Sequence, residues 1–205
     1  MKLYNGLSPN GFRVAAFIQE KGIEIEVETI DVMKGEARAE AHRARNSLGE
    51  VPVLALDDGS FLSESVAICR YLEAIYPNNP LMGKSPAEMA KIEMWNRRME
   101  HQIMGPCAQY GSHSIPIFAD KIEQIPAYAE TQPRAFSKNM QWLDNELADG
   151  RTFVAGDFSI ADITGMAALM ICGFLGELNV PKELSHAQRW VKAVTNRPSF
   201  SVFKG

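Results

Sequence analysis

The sequence predicts an α/β amino-terminal domain followed by an all-α carboxy-terminal domain. Three observations carry that reading. Residues 1–76 alternate short β-type runs with helical patterns in the order βαβαββα. The stretch "PNNPLMGKSP" then holds three prolines and one glycine in ten residues, a linker composition, so residues 77–85 are assigned to a linker. Over residues 86–205 no run alternates convincingly with period 2, and long helical patterns dominate.

The elements follow in order. "KLYN" and "IEVETI" read as strands, and "NGFRVAAFIQEKG" reads as the helix between them, closed by Gly22. A strand, a helix and a strand in that length predict a right-handed βαβ unit with parallel strands. "EARAEAHRARN" is a second helix, and "VPVLAL" and "SFLS" are strands separated by the turn "DDG". "ESVAICRYLEAIY" closes the domain as a third helix, with Val66, Ile68, Tyr71, Leu72 and Ile75 on or near one face. In the second domain two helix starts are marked. "SPAE" supplies Ser85 as N-cap, Pro86 at the first helical position and Glu88 as capping-box partner, and "FSIADI" repeats the box with Ser159 and Asp162.

Composition narrows the function classes. With 46% hydrophobic and 22% charged residues the chain is an ordinary globular protein. A formal charge of −4, with the longest basic cluster mixed with acid, gives no face for nucleic acid. No apolar run approaches the roughly 20 residues that span a bilayer, and no signal-peptide pattern opens the chain, so neither a membrane nor export is expected and the location is cytoplasmic. Cys69, Cys107 and Cys172 are widely spaced and read as reduced, buried thiols. His42, His101, His113 and His186 form no metal-binding spacing, and no GxSxG elbow is present, so neither a metal nor serine-hydrolase chemistry is expected.

Three short motifs remain as candidates for chemistry. In "EVPVL" the proline marks a strand start or edge. Composition favours a trans Val51–Pro52 bond; were it cis, the Val51 backbone would turn outward and pair with an extended peptide ligand. "SES" at 63–65 lies at a strand-to-helix junction. It is either a plain cap or a cradle in which Ser65 and the first-turn N–H groups take a carboxylate while Glu64 accepts an ammonium, the two charges of a free α-amino acid. "SPNG" also precedes a helix, and is either a turn with an N-cap or a place where a ligand thiol is held as thiolate by the helix terminus and a hydroxyl or amide donor.

Taken together, "SPNGFRV", "KGEAR", "LGEVPVLALDDGSFLSESVAICRYL", the proline-rich linker and "FSIADI" resemble the cytosolic glutathione transferases over essentially the whole chain. "MWNRRMEHQIMGPCAQYGSHSIP", "KGE" and "VPKE" followed by a tryptophan look closest to the yeast-type fungal and bacterial members. The resemblance implies a thioredoxin-like first domain, an all-helical second domain, a homodimer, and glutathione as co-substrate without a metal. Glu64 and Ser65 would hold the γ-glutamyl end, Val51 before a cis Pro52 would pair with the cysteinyl part, and Arg38 would meet the glycine carboxylate. Relatives often place a histidine where this chain has Ala37, and a basic residue or amide where it has Glu50.

For the thiol itself the resemblance offers Ser8, as in tau- and zeta-type relatives, then Asn10, as in nu-type relatives that share "PNG". In the yeast-type members the fourth helix helps through water, which would bring His101, and more remotely Cys107, towards the sulfur. The implied reaction is conjugation of the glutathione sulfur to a hydrophobic electrophile in a pocket between the domains, with Leu7, Met104, Cys107, Tyr110, His113 and Phe118 as lining. A nu-like disulfide or peroxide reductase and a non-catalytic ligand-binding protein are the alternatives.

Overall fold

The computed structural model describes residues 1–176 and 178–202, which divide into two compact units. The first comprises Met1–Pro80 together with the chain from Pro198; the second is Leu81–Arg197. The boundary falls inside the proline-rich stretch. The sequence carried no signal for the return of the chain to the first unit.

In the first unit β1 (Lys2–Asn5), α1 (Pro9–Lys21) and β2 (Glu26–Thr29) form the expected βαβ unit, with β1 and β2 parallel and Leu3 opposite Val27. Gly22 closes α1 in the left-handed conformation, as its lack of a Cβ allows. Then come α2 (Glu40–Arg43), β3 (Val53–Ala55), β4 (Phe61–Leu62) and α3 (Ser65–Ile75). The sheet order is β2-β1-β3-β4, with β3 antiparallel to β1 and to β4. Leu3, Phe12, Val14, Phe17, Val53, Leu54, Ile68 and Leu72 are buried and form its core. Residues 198–202 belong here too: the Phe200 ring meets Phe12 edge-on at 6.1 Å, and Ser199 hydrogen-bonds Glu20. The arrangement is thioredoxin-like.

Two expectations need correction. The second helix is broken: Glu36–Arg38 is a 3₁₀ turn, Ala39 is extended, and only Glu40–Arg43 is α-helical. Ala37 and His42 are both buried, and on one continuous helix residues five apart point roughly 140° away from each other. The break lets both face inward. On α3 the buried face is Ser65, Ile68, Cys69 and Leu72, with Ile75 exposed, because a spacing of three and four residues selects that stripe.

The second unit is built from helices, with one isolated antiparallel bridge between Phe153 and Gly156 among its described residues: α4 (Pro86–Arg98), α5 (Gly105–Ser114), α6 (Pro126–Ala129), α7 (Gln132–Glu146), α8 (Ile160–Leu175) and α9 (Ser185–Thr195). Both predicted capping boxes are present. The central helix is α8, buried from Ile160 to Ala168. Asp162 on it accepts from the backbone N–H groups of Val154 and Ser159 and from Trp190 Nε1, at 2.9–3.1 Å. At Gly165 a side chain would run into the Trp190 ring and the Met99 methyl, so this glycine permits the close approach.

Between α4 and α5 the helix continues through a π-helical segment, Met99–Met104, where Gly105 N–H bonds the Glu100 carbonyl five residues back. The cause is local. Pro106 has no N–H for the Gln102 carbonyl, so the ladder widens, and Asn139 Nδ2 on α7 donates to that carbonyl instead.

Candidate active site

The loop between β1 and α1 is drawn tight around Gly11. Asn5, buried, donates from Nδ2 to the Gly11 carbonyl at 3.1 Å, and its Oδ1 accepts from Gly6 N–H at 3.0 Å. A Cβ on Gly11 would collide with the Gly6 carbonyl oxygen and with Asn5 Oδ1. Ser8 sits at the N-cap of α1 in extended conformation, with Pro9 at the first helical position. Its Oγ accepts from Gly11 N–H at 2.9 Å. The hydroxyl proton has no acceptor among the described residues, so Ser8 caps the helix and still has a donor to offer.

Asn10, in the first turn of α1, accepts at Oδ1 from Arg13 Nη1 and from Ser65 Oγ, both at 3.2 Å. Arg13 Nη1 also donates to Ser65 Oγ at 2.7 Å. Arg13 is only 1% exposed, so a guanidinium buried in the first unit ties the N-terminus of α1 to that of α3. The sequence reading passed over Arg13 as one residue of a helix; its signal was a fixed charge inside "GFRVAAF", where five of the other six residues are buried.

At the α3 terminus Ser65 is buried and Glu64 is exposed, with φ 67° and ψ 112°. Positive φ at a non-glycine residue outside the left-handed helical well is strained, at a cost of about 1–3 kcal/mol, and such strain gathers at ligand clamps. Among the described residues no side chain caps α3 and no acidic residue lies in its first turn, so the first-turn N–H groups keep their partial positive charge without a side-chain acceptor.

The Val51–Pro52 peptide bond is cis. The carbonyl of Glu50, just before it, accepts from His42 Nε2 and Asn46 Nδ2, each at 3.0 Å. The side chain of Val51 packs with Ile30, Ala37, Tyr4 and Val32, while its own N–H and C=O have no hydrogen-bond partner among the described residues. A Cβ on Gly6 would lie 3.4 Å from Val51 Cγ2, which places the β1–α1 loop beside this segment. The polar anchors His42 and Asn46 were also missed, though their i, i+4 spacing put them on one helical face.

The remaining predicted residues disperse. Arg38 is exposed at the end of the 3₁₀ turn, Leu7 is exposed, Ala37 lies in the apolar cluster and the Glu50 side chain is in solvent. In the second unit His101 is exposed on the π-helical segment, while Met104 is buried and Tyr110 and Phe118 are half-buried. His113 is engaged, accepting from Ile125 N–H at 3.1 Å and meeting the Tyr128 ring edge-on at 5.2 Å. Cys107 does not fit a pocket wall. It is fully buried, donating to the Ile103 carbonyl at 3.2 Å with Cys172 Sγ 3.4 Å away, because its place on α5 turns it towards α8.

The thiols of Cys69 and Cys107 are poor nucleophiles. The Cys172 thiol and burial together push Cys107 up, and burial pushes Cys69 up to about 12. Among the described residues no cluster of three or more His, Cys, Asp or Glu side chains could hold a metal, and no helix is long and apolar enough to cross a membrane.

Residues 6–80 match the family model described as glutathione S-transferase, N-terminal domain. Glutathione S-transferase 2 of Saccharomyces cerevisiae is 34% identical over 196 residues, which cover 93% of this chain and 83% of the yeast protein. The crystal structure of Gtt2 from the same yeast aligns with a TM-score of 0.88 at 34% identity, covering 98% of this chain and 99% of that one. A glutathione S-transferase domain-containing protein of Marinobacter aquaeolei aligns with a TM-score of 0.89 at 35% identity, covering 98% of this chain and all of that one. Likeness at that level extends through both units, and the chain is therefore a member of the glutathione S-transferase family of enzymes.

Proposed function

We propose that the protein binds glutathione on its first unit, holds the cysteinyl sulfur as thiolate and conjugates it to electrophilic small molecules. The observation that carries this reading is the Asn10–Arg13–Ser65 network, which brings the N-termini of α1 and α3 side by side. The α3 N–H groups and Ser65 receive the γ-glutamyl carboxylate, Glu64 its ammonium, and the Val51 backbone the cysteinyl amide. Arg38 takes the glycine carboxylate.

Ser8 is the first choice for the thiolate donor. Its Oγ already accepts from Gly11 N–H, which polarises the hydroxyl towards donation. Taking a thiol from its usual pKa of about 8.5 down by two requires roughly 3 kcal/mol, within reach of a helix terminus plus one or two charge-assisted hydrogen bonds. Holding nucleophile and electrophile together supplies the rest of the acceleration through proximity. Met104, Tyr110 and Phe118 contribute the apolar wall for the electrophile, and the protein acts as a homodimer.

An ultraviolet difference titration with glutathione from pH 5 to 9 tests the reading. Thiolate absorbance with an apparent pKa well below 8.5 is expected; binding without that shift leaves a ligand-binding protein, and no binding refutes the site. The Asn10 amide, with Oδ1 already engaged, favours the nu-like reductase as a second reading, distinguished by turnover of a small disulfide against a chlorodinitrobenzene-type acceptor.

A further inference from the structure

The geometry points to Arg13 as a positioning residue for the thiol site, acting through the Asn10 amide; this rests on the glutathione reading above. An asparagine side chain presents an acceptor on one side and two donors on the other, and only the donor side stabilises a thiolate. Here Oδ1 is fixed by two donors, Arg13 Nη1 and Ser65 Oγ, each at 3.2 Å. Nδ2 has no partner among the described residues and is not buried, so it opens to solvent in the first turn of the helix that Ser8 caps.

The two donors are not equivalent. The Ser65 hydroxyl accepts from Arg13 at 2.7 Å and donates its own hydrogen bond to Asn10 Oδ1. A carboxylate arriving at the α3 terminus is a stronger acceptor than an amide oxygen and draws that proton to itself. Arg13 is then the donor that keeps Oδ1 inward and Nδ2 outward while the sulfur is held. Being buried, it keeps a fixed direction, and its single Nη1 serves Asn10 Oδ1 and Ser65 Oγ at once from a rigid planar group that a flexible ammonium stem does not reproduce. Arg13 thereby links occupation of the γ-glutamyl cradle to the orientation of the thiolate donor.

The test measures the pKa of bound glutathione's thiol in the full chain for wild type, Asn10→Ala, Arg13→Lys and the double variant, together with kcat, KM and melting temperature without ligand. Asn10→Ala is expected to raise the bound-thiol pKa by about one, a tenfold loss of thiolate at low pH. Arg13→Lys should raise it similarly, and the double variant should go no higher than Asn10→Ala alone, the non-additivity of groups acting as one device. A bound-thiol pKa unchanged by Arg13→Lys, or effects that add, overturns the proposal while leaving the glutathione reading intact. An unshifted thiol in the wild-type protein overturns both. If Arg13→Lys does not fold, the Asn10 side-chain amide resonances of the wild-type protein decide: a shift on adding glutathione supports the role, and resonances that stay in place refute it.

Discussion

Asn139 on α7 donates to the carbonyl of Gln102, 37 residues away in sequence, at 2.7 Å, repairing the gap that Pro106 leaves in the helix ladder. Asn139→Ala should therefore cost about 1 kcal/mol in denaturant unfolding. With Pro106→Ala present the backbone supplies its own donor, so the same change should cost less. A double-mutant cycle showing strict additivity would separate the two features.

Gly11 is fixed by its neighbours. Gly11→Ala should destabilise the protein by about 1–3 kcal/mol through overpacking against Gly6 and Asn5. It should also weaken glutathione activation, because the loop that moves carries Ser8. Melting temperature and bound-thiol pKa read the two effects separately.

Glu64 holds its strained backbone at the proposed ammonium site. Glu64→Gly removes both the strain and the carboxylate, and Glu64→Ala removes only the carboxylate. Both should weaken glutathione binding, by about tenfold or more for a charge-assisted contact, while the glycine variant melts no lower than the alanine variant. Calorimetric titration and thermal melts check this.

The native protein should react slowly with a disulfide reagent such as Ellman's, since all three thiols are buried and the pKa values of Cys69 and Cys107 are raised. In denaturant all three should react at once. Fast reaction of one thiol in the native state would contradict their burial.

Burial pushes the Asp162 carboxyl up to about 6 from an ordinary 3.8, against four hydrogen bonds from Val154, Ser159 and Trp190 that favour its charged form. The folded state thus binds this proton more tightly than the unfolded state. Its contribution to stability is complete below pH 3.8 and is lost as pH rises towards about 6. Exposed carboxylates held below their usual range, Asp31 and Glu88 among them, act with the opposite sign. Urea midpoints of wild type minus Asp162→Asn, taken from pH 4 to 7, should therefore fall with rising pH.

The fold was legible where local rules agree with tertiary packing. The order of strands and helices, the Gly22 stop and both capping boxes followed from periodicity and cap chemistry, because those signals act within one turn of the chain. "EARAEAHRARN" misled because its helix propensity is uniform, whereas burying both Ala37 and His42 required a break. The candidate site stood out in the sequence as segments, "SPNG", "VPVL" and "SES", but not as a network: Arg13 joins residues 55 positions apart, and nothing near it in sequence says which way its guanidinium points.

The return of residues 198–202 to the first unit makes the second unit, topologically, an insertion within the first. During synthesis the ribosome delivers the sheet, α1 and α3 early, but Phe200 and Ser199 can reach Phe12 and Glu20 only after the whole helical unit has emerged. The first unit is thus begun first and finished last, and a fragment cut at the linker lacks the piece that covers Phe12.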